Sequence, residues 1–67
     1  MPPETFRLSV LDEIDVIIET NAVDGETPET ITRLNELNRF VIDNPGIFTA
    51  SDIAQASLVL RITATLR

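Results

Sequence analysis

The sequence predicts an all-α fold. It is a small three-helix bundle with helices at about 6–21, 28–43 and 50–66, forming one domain over residues 1–67. Three observations predict it. Apolar residues recur at helical spacing in three segments. Two breaker clusters, "NAVDGETP" at 21–28 and "DNPG" at 43–46, separate those segments. Twenty of the 67 residues are Ile, Leu or Val, which is enough for a core and argues against disorder.

The first helix rests on "VLDEIDVIIET". At 100° per residue, Val10, Leu11, Ile14, Ile17 and Ile18 share one arc, and Asp12, Asp15 and Glu19 share another. Ser9 can cap it, with Asp12 three residues on. "PPET" offers an earlier start, because proline is tolerated in a first turn. Phe6, Leu8 and Val10 also alternate with Thr5, Arg7 and Ser9, which is a strand's period, so the start has two readings.

The second helix has a clean beginning. Thr27 caps, Pro28 takes the first helical position and Glu29 meets the positive end of the dipole. Ile31, Leu34, Leu37, Val41 and Ile42 form its apolar arc. Glu29 with Arg33, and Arg39 with Asp43, are spaced as surface ion pairs worth about 0.2–0.5 kcal/mol each. Asn44-Pro45-Gly46 ends the helix.

The third segment, "FTASDIAQASLVLRITATLR", starts with Thr49 as cap and Asp52 three residues later. Beyond Ser57, Leu58, Leu60, Ile62, Ala64 and Leu66 alternate with Val59, Arg61, Thr63, Thr65 and Arg67. Strand-favouring residues at that period point to a strand. No Gly, Pro, Asn or Asp marks a switch at Ser57, which favours one continuous helix. Such a helix has two apolar arcs. One holds Ile53, Ala56, Leu60 and Ala64; the other holds Leu58, Val59, Ile62 and Leu66. A helix apolar on two sides is buried on two sides. The alternative fold is α+β, with short strands at 6–10 and 58–66 around two helices.

Size and composition bound the function. A chain of 67 residues buries only about 60% of its unfolded surface and is marginal alone. With no Cys and no His, it has neither disulfides nor the common zinc ligand sets to support it. Oligomerisation remains, and a homodimer is expected, with Leu58, Val59, Ile62 and Leu66 as its self-association seam. No run approaches the roughly 20 apolar residues of a membrane span. "MPPETFRLSV" lacks the basic start and apolar stretch of a signal peptide, so a cytoplasmic location is expected.

The net charge of −6 is asymmetric. Residues 1–29 hold eight acids against Arg7, roughly −7, whereas residues 30–67 hold three acids against four arginines, +1. An acidic half repels phosphate and favours a basic partner, or is simply a solvated face.

The chemistry open to these residues is narrow. Without His or Cys, Ser-His-Asp and Cys-His arrangements are absent. Carboxylate pairs need a cleft and an apolar pocket to tune them, so no enzyme activity is expected. "DGETPETITRLN" lacks most ligand positions of a calcium loop. Gly25 and Gly46 form no phosphate cradle. No cofactor and no metal are expected.

"FTASDIAQA" is similar to the first helix of many helix-turn-helix domains, where a Thr or Ser cap opens the helix. That resemblance implies DNA binding through a following recognition helix. Here "SLVLRITATLR" follows without a turn, and Arg61 and Arg67 alone could meet phosphate.

Two residues break the second helix's pattern. Asn38 falls inside the apolar arc, as a buried register-fixing amide or as an edge residue bonded to a loop. Phe40 falls on the opposite side near Arg33 and Glu36, as an interface anchor or as a ring covered by the N-terminal tail or the 44–48 loop. Val16 stands among the acids of the first helix.

The expected function is therefore a small acidic, non-catalytic protein-interaction module, acting as a homo-oligomer. It is an adaptor, regulator or accessory subunit with Phe40, Arg33, Asp12, Asp15 and Glu19 as partner-binding residues. The alternative is an acidic nucleic-acid-mimicking inhibitor of a DNA-binding protein or nuclease. The third reading is a degenerate helix-turn-helix regulator.

Overall fold

The computed structural model describes the backbone of residues 3–65 and the side chains of residues 4–63. Three helices follow one another: α1 (Pro3–Asp24), α2 (Pro28–Asp43) and α3 (Ala50–Thr65). No strand occurs among the described residues.

α1 starts three residues earlier than the periodicity alone predicts. Pro3 sits in its first turn, where a missing N–H costs nothing. Ser9 is therefore an exposed residue within the helix, not its cap. At the other end α1 runs to Asp24 and stops at Gly25. The glycine adopts φ +88°, and its N–H donates to the Asn21 carbonyl at 3.0 Å. This left-handed cap satisfies a terminal carbonyl, and a residue with a Cβ would be strained there.

Reciprocal caps open the other two helices. Thr30 N–H donates to Thr27 Oγ1 at 3.2 Å, and Thr27 N–H donates to Thr30 Oγ1 at 3.0 Å. Asp52 N–H donates to Thr49 Oγ1 at 3.2 Å, and Thr49 N–H donates to Asp52 Oδ2 at 3.0 Å. Between α2 and α3 the Ile47 and Phe48 N–H groups both donate to the Asn44 carbonyl, closing a tight turn.

The strand reading of 6–10 and 58–66 does not hold for the described residues. Both stretches lie in helices, Leu66 being outside what is described. Packing overrides the alternation. Ala56 and Thr63 are buried on one side of α3, and Leu60 is half-buried with them. Thr63 shows how a β-branched residue is accommodated. Its hydroxyl lies 2.7 Å from Asn35 Oδ1 on α2, and 3.1 and 3.0 Å from the Val59 and Leu60 carbonyls. Its single proton serves one of these acceptors at a time.

α2 is the central helix. α1 and α3 each pack on it, but no described Cα of α1 comes within 8 Å of one in α3. The core comprises Val10 and Ile14 from α1, Leu34, Leu37 and Val41 from α2, Phe48 from the turn and Ala56 from α3. Leu11, Ile17, Ile42, Ile47, Ile53 and Val59 close its margins. Asn38 is 1% exposed, more buried than every core residue but Val41. Its Nδ2 donates to the Leu34 carbonyl of its own helix at 3.0 Å. The amide is thus buried, yet its donor is satisfied one turn back and not by another helix or a loop.

Replacing the buried amide should test that arrangement. Asn38→Leu keeps the volume close and removes the need to desolvate an amide. The urea midpoint should stay level or rise, by an amount equivalent to about 1 kcal/mol. A clear fall in the midpoint would show that the amide makes a contact the hydrophobic side chain cannot replace.

Candidate protein-interaction groove

A helix buried on one neighbour leaves its other apolar side uncovered. In this fold α1 and α3 both bury one side on α2. Their remaining apolar sides face each other across the gap between them. Two adjoining recesses fill that gap, of about 260 and 280 Å³.

In the first recess, Leu11 and Ile14 of α1 oppose Gln55, Ala56 and Val59 of α3, over Asn38 and Val41 of α2. In the second, Ile18 and Ala22 oppose Val59 and Ile62, over Leu34. Ile18 and Val59 belong to both recesses and make them one groove. From Leu11 to Ala22 the α1 wall is roughly 16 Å long at 1.5 Å per residue. Ile18 is 39% exposed and Ile62 is 52% exposed, so apolar surface remains open to solvent along both walls. Asn21 lines the second recess, and its Oδ1 is buried without a hydrogen-bond partner.

One end of the groove is tied. Arg7 of α1 and Asp52 of α3 form a two-pronged ion pair, Nε to Oδ2 at 2.6 Å and Nη2 to Oδ1 at 3.1 Å. Such fork-to-fork pairing fixes geometry as well as supplying energy. Both side chains are largely shielded, with 24% and 13% of their surface exposed. The Arg7 bond, aided by the Thr49 N–H, holds the Asp52 carboxyl down from its ordinary 3.8 to about 2. Arg7 is in turn raised above its ordinary value, chiefly by the bond to Asp52.

The structure brings two of the expected residue sets to this groove. Of the self-association set, Val59 and Ile62 form its α3 wall, and Leu58 lies beside them, 51% exposed. Leu66 lies outside the described residues. Of the acidic row, Asp15 lines the first recess. Asp12 and Glu19 are exposed three residues before it and four after, on the same side of α1. The three carboxylates have no ion-pair partner among the described residues.

The rest of the expected set lies elsewhere. Phe40 does not line the groove. It is 38% exposed and makes edge-to-face contacts with Phe6 (5.9 Å) and Phe48 (6.0 Å). Its ring links the first turns of α1 to the α2–α3 turn, so much of it is covered by its own chain. Arg33 bridges α2 to α1 through Glu13 at 2.7 Å and also lies 3.6 Å from Glu36. It does not use Glu29, four residues before it, and Arg39 and Asp43 are not paired with each other. Both Arg33 bridges are about half exposed, the range in which ion pairs contribute about 0–1 kcal/mol. Asp24-Gly25-Glu26 serves as the cap of α1, with Glu26 at the edge of the second recess.

"FTASDIAQA" opens one uninterrupted helix, Ala50–Thr65, with no turn to a second. No helix of the described residues is long and apolar enough to cross a membrane. Leu11, Ile18, Ala22 and Leu34 were not singled out by sequence as site residues. The usable signal was the width of the α1 arc, which is broader than a single neighbour can cover. Compared with protein-family models, curated proteins and solved structures, the chain matches none.

The Arg7–Asp52 pair carries a pH signature. A carboxyl held at about 2 against 3.8 contributes stability that is complete above 3.8 and is lost as pH falls through 2. Thermal unfolding over that window should show a falling Tm. Asp52→Asn should remove that part of the slope. Arg7→Gln should flatten it partly, leaving the share due to Thr49. An identical acid slope in all three proteins would mean the pair is not formed in solution.

Proposed function

We propose that this chain is a small acidic, non-catalytic protein-interaction module that engages its partner through the α1–α3 groove. One observation carries the reading. Two helices are each packed on α2 and splayed from one another, leaving an apolar groove on the side where a fourth helix would complete a bundle. Helix-in-groove binding uses this kind of surface, with apolar anchors entering at helical spacing.

The groove's composition suits binding better than chemistry. Catalytic pockets converge several polar groups on a reacting atom. Here the walls are apolar, and each recess adds few charged groups: Asp15 and the already paired Asp52 in one, Glu26 in the other. Phe40 is the secondary candidate for contact, reduced by its cover of Phe6 and Phe48.

Affinity capture from the native host, compared across variants, tests the proposal. Ile18→Ser with Ile62→Ser changes two partly exposed wall residues and should leave helix content intact by circular dichroism. It should weaken retention of the wild-type partner by about tenfold or more. Phe40→Ala should retain the partner while lowering stability by about 2 kcal/mol, below the roughly 3–5 kcal/mol of a fully buried Phe. The reverse pattern, retention by the groove variant and loss by Phe40→Ala, would move the interface to the aromatic cluster.

A further inference from the structure

The two recesses leave the chemistry of their occupant to be read from charge. We infer that the groove takes a basic amphipathic helix of a different protein, with its apolar face between α1 and α3 and its cationic flank along Asp12, Asp15 and Glu19. This rests on the groove being the binding site, as proposed above.

The charge pattern has three parts. First, among the described residues no Lys or Arg lines either recess, whereas Asp15 lines one and Glu26 the other. Second, the carboxylates of Asp12, Asp15 and Glu19 have no ion-pair partner among the described residues, while Asp52 and Glu13 are neutralised by Arg7 and Arg33. Of the groove's two walls, α1 is thus the one that carries unneutralised charge. Third, the α3 wall beside it carries no unpaired charge among its described lining residues: Gln55, Ala56, Val59, Ile62 and Thr63 are neutral, and Asp52 is paired with Arg7. A helix lying in this groove would meet carboxylates along one flank and neutral surface along the other. Its complement is amphipathic with lysine or arginine on a single flank.

The same pattern disfavours a second copy. A two-fold interface sets a patch against itself. Each copy would bring the acidic wall and, among the described residues, no groove-lining cation, in a chain that already carries −6. Arg7 and Arg33 are engaged within their own chain. The roughly 16 Å wall suits about three turns of a single helix better than another whole bundle.

The probe is a labelled designed peptide with leucine at i, i+3, i+4 and i+7 and lysine along one adjoining flank. Its twin carries glutamate in place of lysine. Binding to the full chain is followed by fluorescence anisotropy at low salt and near 1 M salt, where the screening length is about 3 Å. The lysine peptide should bind at least tenfold more tightly than its twin. Asp12→Asn, Asp15→Asn and Glu19→Gln together should weaken it about tenfold at low salt, a size set by three exposed pairs, and much less at high salt. Removing three charges away from the groove, with Glu29→Gln, Glu36→Gln and Asp43→Asn, should have little effect. Ile18→Ser with Ile62→Ser should weaken both peptides.

Equal binding of the two peptides, both lost in the Ile18/Ile62 variant, would overturn the basic partner and keep the groove. Equal effects of the two charge-removal variants would overturn it as well, showing attraction to net charge alone. Lysine-peptide binding untouched by the Ile18/Ile62 variant would overturn the groove itself. Light scattering gives the last arm. A wild-type dimer converted to monomer by the Ile18/Ile62 changes would make a second copy the occupant and overturn the proposal.

Discussion

The Asp52 carboxylate holds together features that lie far apart in sequence. One of its oxygens accepts from the Thr49 N–H and completes the cap of α3. The same carboxylate receives both prongs of Arg7 from α1. Start of helix and tie between helices are therefore one group. It links α1 to α3 directly, and it sits near the N-terminal end of both helices. The helices are joined there by side chains, while no described Cα of one comes within 8 Å of the other, so the groove is tied at one end. A carboxylate that capped without pairing would leave α1 oriented by its contact with α2 alone.

The opening is also a consequence of the choice of residues along α3. Small Ala56 and hydroxyl-bearing Thr63 face α2 and allow close approach. The larger Leu58 and Ile62 are about half exposed, and Val59 lies at the core's margin. Were the large residues turned inward, α3 would stand off α2 and lose the Thr63–Asn35 bond. The surplus apolar surface on the other side is what remains when a short chain packs three helices in a row around one central helix. The acidic residues Asp12, Asp15 and Glu19 of α1 border that surface. On the reading proposed above, the charges that border this surface are also those that would meet a partner.

Much of the fold was legible in the sequence, because helix signals are local. Thr27-Pro28 and Thr49-x-x-Asp52 announced two helix starts, and Gly25 and Asn44-Pro45-Gly46 marked two ends. The start of α1 was less legible, since Pro3 and Ser9 both carry start signals and only packing chooses between them. The alternation in 58–66 misled in the opposite way: its strand propensity is intrinsic, but a bonded Thr63 hydroxyl and the contact with α2 outweigh it. The groove itself was only half legible. Periodicity marked Val59 and Ile62 as an outer arc, and charge marked Asp15. It could not show that both face one gap, because that depends on how α1 and α3 each pack on α2 and on contacts such as Arg7–Asp52, a pair 45 residues apart. The covering of Phe40 was one of the two readings the sequence offered, and Phe6 in the first turns of α1 with Phe48 in the 44–48 turn provides it.

The central position of α2 also bears on how the molecule comes apart. Most tertiary packing joins neighbours in sequence, so little loop entropy separates the unfolded chain from its contacts, and folding is expected to be fast. The α2–α3 hairpin contains the tight Asn44 turn, the Thr63–Asn35 bond and most of the core. α1 adds Val10 and Ile14 to it from one side and is fastened by Arg7 and by Glu13 with Arg33. A helix attached along one face only is the natural unit of partial opening. Its amides should exchange with solvent through a lower barrier than those of α2, which is enclosed from both sides. Stability in this chain is then graded outward from its middle helix, and the wall of the groove formed by α1 belongs to the part most readily loosened.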